Sequence, residues 1–337
     1  MIEMSGLSIA KWLIPTQLLP IISQLYRTYD FFMAYFAKVM KRRHLTVRID
    51  TVDSCNMKCQ YCYTLGLPTS KSTFMSLEQF NKIADELFPI AEHVYLSCAW
   101  EPTMNKNFHE VIRISGKYNI PFLSFVTNGA LLSDDIIDAS ISANVNEIKI
   151  SIDAAEEDKF NDITQSKLFN HVIESMQKLH DKKRDANSLL PRVVVQCVVF
   201  KENSDQTIML IKNYQHLFDK ICISGLLHRR RNDIDNYERL LPHELKEIAL
   251  QCDKLADKST TIEVGMRNKS LRPLVCGMPL RYLLIRSNGD VVLCHKEVIG
   301  NIFTARYRQI IRNNKHLLRK LVLLRTNFCQ TECDIYS

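Results

Sequence analysis

Three cysteines, Cys55, Cys59 and Cys62, stand within eight residues in the stretch DSCNMKCQYCYTLG, Asp53 to Gly66. A disulfide would leave one thiol over. A structural zinc takes four protein ligands, and this loop offers three. A [4Fe–4S] cluster is ordinarily held by four cysteines. With three, one iron keeps an open coordination position, which can chelate a small molecule that carries an amine beside a carboxylate.

A second group of thiols lies far along the chain: Cys276, Cys294, Cys329 and Cys333. Cys276 precedes a hairpin signal and Cys294 ends it. Two apolar runs, YLLIR and VVLC, flank Ser287-Asn288-Gly289-Asp290, and Asn-Gly is a strong tight-turn dipeptide. Cys329 and Cys333 form a CxxxC pair. Four thiolates of this layout can enclose one metal centre, zinc or iron–sulfur. His295, beside Cys294, reads as a surface histidine. Cys98, Cys197, Cys222 and Cys252 are single. Cys197 and Cys222 fall inside apolar strands and read as small core residues. Cys98 adjoins the Glu101 segment.

The elements that must position these groups alternate. Strand-like runs begin at Leu45–Ile49 and recur at His93–Ser97, Phe122–Val126, Glu147–Ile152, Arg192–Phe200 and Lys220–Gly225. Helical patterns lie between them. Ser76 with Gln79 makes a capping box for the first, and Ser133 caps a later one. The stretch from Glu157 to Lys183 reads as helical throughout. The last helix of the series is PHELKEIALQCDKLADK. Six strand-then-helix units argue α/β architecture with a parallel sheet, either doubly wound or a barrel. Catalytic groups of such a sheet gather where the strands end. A basic helix at Tyr307–Leu324 follows the hairpin. The expected domains are an N-terminal helical extension (1–44), a core (45–264) and a small C-terminal module (265–337).

With 337 residues and 46% hydrophobic content, the chain can build a sizeable core. The +7 formal charge is mild and reads chiefly as a solvated basic surface, with two clusters at Lys38–Arg43 and His228–Arg231. No nucleic acid partner is expected. The start of the chain lacks a basic, apolar secretory signal, and the cysteines are clustered, so a cytoplasmic, reducing setting is expected. The run Trp12–Tyr26 is apolar but too short to span a bilayer and is interrupted by Pro15 and Pro20. A second amphipathic piece, FFMAYFAKVMKRRH, follows it. Helices packed on the domain are one reading. A peripheral membrane contact helped by the Lys38–Arg43 patch is the other.

The spacing CxxxCxxC, with Tyr61 just before the third cysteine, resembles the signature of the radical S-adenosylmethionine (SAM) superfamily. The resemblance implies that the open iron binds the amino and carboxylate groups of SAM. An electron from the cluster then cleaves the sulfonium to a 5′-deoxyadenosyl radical. Segments at later strand ends agree over residues 45–225. In SCAWEP, Glu101 and Pro102 stand where the family contacts the SAM amine, with Ala99 and Trp100 at the usual glycine positions. Thr127-Asn128-Gly129 follows the third strand. Ser151-Ile-Asp153 follows the fourth, where the family binds the SAM ribose or carboxylate, and Asn203 follows the fifth. The expected fold is a partial (β/α)6 TIM-type barrel. The C-terminal layout resembles the twitch domain, a shortened SPASM module, which implies one auxiliary [4Fe–4S] cluster on Cys276, Cys294, Cys329 and Cys333.

Relatives of this kind oxidise small molecules or carbohydrates, or else modify peptides as maturases. The 44 residues before the first strand are too few for a winged-helix leader-binding module, which favours a small molecule or carbohydrate. The resemblance also implies an electron donor such as flavodoxin or ferredoxin. Arg229–Arg231, at the expected mouth, fits either recognition of an anionic substrate or a solvated loop. No residue is singled out as a catalytic base. The reading outside enzymology is a non-catalytic iron–sulfur or zinc protein.

Overall fold

The computed structural model describes residues 19–62, 64, 73–226, 237–265, 275–293 and 297–323. Cys294, His295, Cys329, Cys333 and the arginine run 229–231 lie outside the described residues.

Parallel strands and helices alternate from β1 (Leu45–Ile49) onward. Next come α2 (Leu77–Leu87), β2 (Ala91–Tyr95), α3 (Phe108–Gly116), β3 (Phe122–Thr127), α4 (Asp134–Ser142) and β4 (Glu147–Ser151). Then follow α5 (Glu157–Thr164), α6 (Phe169–Asp185), β5 (Arg192–Val199), α7 (Ser204–Tyr214), β6 (Lys220–Gly225) and α8 (Pro242–Leu255). The remainder is β7 (Thr261–Gly265), α9 (Met278–Arg281), β8 (Tyr282–Ile285), β9 (Asp290–Leu293), β10 (Glu297–Asn301), α10 (Tyr307–Asn313) and α11 (Lys315–Val322). One helix precedes them all, α1 (Leu19–Val39).

Among the described residues, ten strands form one sheet, ordered β10-β9-β8-β1-β2-β3-β4-β5-β6-β7. Strands β1 to β7 are parallel in sequence order, and β8 joins the far side of β1, also parallel. The architecture is an open, partial TIM-type barrel, extended beside β1 by the antiparallel strands β9 and β10.

Period-two alternation divides the sheet into two faces. Val47, Ile49, Val94, Phe125, Ile148, Ile150, Val195, Ile221, Ile223 and Ile285 are all fully buried. They pack beneath helix residues such as Phe80, Ile83, Phe108, Ile137, Val172 and Leu210 in one contiguous core. Each such side chain contributes about 1.5–3 kcal/mol by leaving water. The intervening positions, the inner face, mix polar side chains, Arg48, Tyr95, Ser124, Lys149, Gln196 and Cys222, with apolar ones, Phe122, Val126, Val194, Val198 and Leu284. Charges there are paired, Lys149 with Glu147 and Lys220 with Glu263.

Several details differ from the sequence reading. Within the described residues, Leu19–Val39, which takes in parts of both N-terminal pieces, is one helix, because Pro20 falls in its first turn, where a missing N–H costs nothing. The helical stretch 157–183 is broken by Gln165, which caps α5 in the left-handed region at φ 51°. The basic helix is broken at Asn314, whose side-chain amide donates to the Ile299 carbonyl of β10 at 2.7 Å. Strands β7 and β10 were not foreseen. The capping box and the hairpin turn are as read. Ser76 Oγ accepts the Gln79 N–H at 3.1 Å and Gln79 Oε1 accepts the Ser76 N–H at 2.9 Å. Gly289 sits at φ +85° and donates to the Arg286 carbonyl at 2.8 Å.

Candidate functional site

The cysteine loop leaves the C-terminal end of β1 and is fixed on two sides. On one side it covers the end of α5. The Lys58 N–H donates to the Thr164 carbonyl at 3.0 Å, and the Gln60 N–H to the Ile163 carbonyl at 3.1 Å. The last carbonyls of a helix have no partner within it, so the loop supplies their donors. On the other side, the Glu101 N–H donates to the Ser54 carbonyl at 3.1 Å. The Asn128 side-chain amide donates to Asn56 Oδ1 at 2.7 Å and lies 3.9 Å from the Cys55 sulfur.

Glu101 is the hub of that second side. Its Oε1 accepts the Thr103 hydroxyl at 2.6 Å and the Thr127 hydroxyl at 2.7 Å, and its Oε2 accepts the Asn128 N–H at 2.6 Å. Burial raises its pKa, and these donors hold the rise back. Pro102 is buried and opens a single 3-10 turn, Pro102–Met104. Thr127 also accepts the Gly129 N–H at 3.0 Å. Gly129 itself needs φ +81°, and a Cβ there would lie 3.2 Å from both Ile150 and Val172.

On the opposite side, Tyr61 donates its hydroxyl to Asp153 Oδ2, and Asp153 Oδ1 accepts the Val198 N–H at 2.7 Å. Burial pushes Asp153 up to about 6 against the pull of both donors. It also raises Tyr61, with the Asp153 charge next in importance. Ser151 lies half-buried at the end of β4, in register with Gln196. Asn203 is fully buried behind this group. Its amide donates to the Asp153 and Val198 carbonyls, both at 2.9 Å, and accepts the Phe200 N–H at 2.8 Å. Its hydrogen bonds all go to backbone, which shapes the rim rather than lining it.

Cys55, Cys59 and Cys62 are free thiols. Burial pushes Cys55 up to about 11, and burial followed by the Asp153 charge raises Cys59. Bound cations reverse this, since a coordinating thiol loses its proton. No three His, Cys, Asp or Glu side chains among the described residues converge closely enough for a single metal ion. A four-iron cluster makes no such demand, because each thiolate takes its own iron. Around the loop, Thr51 Oγ1, Ser54 Oγ and Asn56 Nδ2 are buried and have no hydrogen-bond partner. These orphaned polar atoms and three spread thiols fit a cluster with a polar ligand. Of the second cysteine group only Cys276 is described. It is buried, and its N–H donates to the Val322 carbonyl at 2.8 Å.

The sequence reading missed the group beneath the rim. Asp50, at the end of β1, accepts the N–H groups of Cys98 at 2.7 Å and Ala99 at 3.1 Å. Arg48 lies over the Tyr95 ring, 5.7 Å from its centre, and donates to the Tyr282 hydroxyl at 3.3 Å. The signal was present: Thr46, Arg48 and Asp50 alternate with Leu45, Val47 and Ile49.

A family model for the radical SAM superfamily matches residues 49–214, and one for an iron–sulfur cluster-binding domain, SPASM, matches 276–334. The GTP 3′,8-cyclase of Synechocystis sp. is 24% identical over 174 residues, 51% of this chain and 51% of that protein. The enzyme of the same name from Desulforamulus reducens is 33% identical over 39% of this chain and 41% of its own length. The chain thus matches about half the length of these cyclases or less. A Pyrococcus furiosus protein named tungsten-containing aldehyde ferredoxin oxidoreductase cofactor-modifying protein is 24% identical over 78% of this chain and 72% of its own. Among solved structures, Streptococcus suis SuiB bound to S-adenosylmethionine superposes with a TM-score of 0.67 at 12% identity, over 89% of this chain and 74% of SuiB. That likeness shows the fold. The chain belongs to the radical SAM superfamily, whose cofactors are a [4Fe–4S] cluster and S-adenosylmethionine, and it carries a SPASM iron–sulfur domain.

Proposed function

We propose that this enzyme abstracts a hydrogen atom from a polar small molecule or carbohydrate held in the barrel, and oxidises or rearranges it with the help of one auxiliary [4Fe–4S] cluster. Bound SAM supplies the 5′-deoxyadenosyl radical for that step. The observation that carries the reading is the three-thiol loop fixed at the C-terminal rim of a barrel, with the polar cluster Arg48, Tyr95 and Tyr282 close beneath. The names of the relatives, GTP 3′,8-cyclase and cofactor-modifying protein, speak for chemistry on small molecules.

In this reading Cys55, Cys59 and Cys62 hold the SAM-binding cluster. Cys276, Cys294, Cys329 and Cys333 hold the auxiliary one. Glu101, Pro102, Thr127 and Asn128 fix one flank of the SAM site. Tyr61, Ser151, Asp153 and Asn203 fix the other. Residues 1–44, 45–264 and 265–337 are the extension, the core and the auxiliary-cluster module. Flavodoxin or ferredoxin is the electron donor. Enclosure matters because water and stray thiols quench radicals.

A second reading is peptide modification. SuiB has also been solved with its precursor peptide SuiA, at a TM-score of 0.61 to this chain. That is a likeness of fold, and the Arg48–Tyr95–Tyr282 cluster beneath the rim favours the small-molecule reading. The test is anaerobic reconstitution followed by SAM and dithionite, with 5′-deoxyadenosine measured by mass spectrometry. A fully loaded protein that releases none would overturn the enzyme reading. A metabolite screen for compounds that accelerate release then separates the two substrate classes.

A further inference from the structure

Helix α1 turns an apolar stripe to solvent. Leu25, Tyr29, Phe32, Phe36, Val39 and Met40 follow the spacing i, i+4, i+7, i+11, i+14, i+15, which places them on one side of a helix. They are between 53% and 66% exposed. On the opposite side Ala34 is fully buried, and the helix packs against α9. Soluble monomers rarely leave so continuous an apolar surface uncovered.

Charge selects the partner. The one acid in the sequence of α1, Asp30, falls at a helical position off the stripe. Lys41 and Arg42, just beyond its C-terminal end, are both exposed. A second copy would bring the same cations to the stripe, and no position of the stripe carries an acid to answer them. An apolar, aromatic stripe ending in exposed cations suits the headgroup boundary of an anionic bilayer. No described helix is long and apolar enough to cross a membrane, so the contact would lie on the surface.

We propose that the outer face of α1 docks this enzyme on anionic lipid. The geometry leaves the site free. Arg43, which follows α1, donates to the carbonyls of Phe88 at 2.8 Å, Ala91 at 2.9 Å and Tyr118 at 2.8 Å. These residues stand where the chain enters β2 and leaves α3, at the N-terminal end of the barrel. The cysteine loop sits at the other end, so a docked enzyme keeps its mouth toward water.

The test is co-sedimentation of the full-length, cluster-loaded enzyme with vesicles of phosphatidylcholine plus phosphatidylglycerol, and with phosphatidylcholine alone. The wild type is expected on the anionic vesicles and not on the neutral ones. F32E/F36E should lose that binding, and K41E/R42E should weaken it by about tenfold or more. Both variants should keep the wild-type melting temperature and the same SAM cleavage, which separates failure of docking from failure of the catalytic reading. No binding by the wild type, or unchanged binding by F32E/F36E, overturns the proposal. So does a wild-type dimer in sedimentation velocity that F32E/F36E abolishes without any vesicle binding. Vesicle binding only after deletion of residues 1–18 would mean that the chain's own first residues cover the stripe, and overturns it too.

Discussion

The Glu101 carboxylate accepts the backbone N–H of Asn128 at 2.6 Å, and Asn128 in turn donates to Asn56 in the cysteine loop. The loop after β2, the turn after β3 and the cluster loop are therefore one hydrogen-bonded unit. Glu101→Gln keeps the shape but sets an amide N–H where only an acceptor fits. We expect a loss of about 1–3 kcal/mol of stability, read by urea unfolding under anaerobic conditions. A variant that unfolds with the wild type would show that the carboxylate does not hold the unit together.

The two cysteine groups should separate in mutant behaviour. Cys59→Ala should remove SAM cleavage and about four irons per chain. Cys329→Ala should also lose about four irons, yet retain some cleavage while losing product. Cys197→Ala, a core change, should leave the iron content intact and cost stability. Iron analysis alongside 5′-deoxyadenosine release checks all three. Equal loss of cleavage in the first two would refute a division of labour.

Asp50 sets a pH dependence. Burial pushes its pKa from an ordinary 3.8 up to about 6, although the Cys98 and Ala99 N–H groups favour the anion. The folded protein thus binds this proton more tightly than the unfolded chain does. Between about pH 4 and 6 stability falls as pH rises, by about 3 kcal/mol once the group is fully ionised. Asp50→Asn keeps the acceptor oxygen and removes the buried charge. Its unfolding free energy relative to wild type should therefore improve steadily from pH 4 to 7. A difference that stays flat across that range would count against the effect.

Arg48 tests the barrel as a substrate chamber. Arg48→Met removes a cation from beside Tyr95 and Tyr282 while keeping a long apolar stem. Slow, substrate-free SAM cleavage should persist, and product formation with an anionic or hydroxylated substrate should fall by about tenfold or more. If both rates fall together, Arg48 supports the rim rather than the substrate.

The alternating parallel core was legible because most of its strands carry β-branched or aromatic residues and a buried face. Strand β7 was not, since TIEVG is a half-exposed edge with no apolar run. Strand β10 pairs only with β9 and carries Gly300 at φ +157°, so propensity gave no hint of it. The helix breaks at Gln165 and Asn314 are single-residue events that a 3.6-residue period does not register. Three thiols at fixed spacing, with their resemblance to the radical SAM signature and the agreeing segments at later strand ends, announced the cluster loop. Arg48 and Asp50 went unread although they alternate with Leu45, Val47 and Ile49, because that alternation separates two faces without telling which of them looks into the barrel. Asn203 was read as a cofactor contact, and only the folded chain shows its amide bound to backbone.

The cover that the cysteine loop forms over the end of α5 has a consequence for maturation and repair. Lys58 and Gln60 are anchored by backbone bonds to the end of α5 rather than through the thiols. Anchors of this kind predict a cradle that outlasts the loss of its cluster. We expect similar amide exchange for Lys58 and Gln60 in iron-free and loaded protein, and recovery of cleavage on adding iron and sulfide without refolding. Rapid exchange in the iron-free chain would mean that the metal builds its own seat.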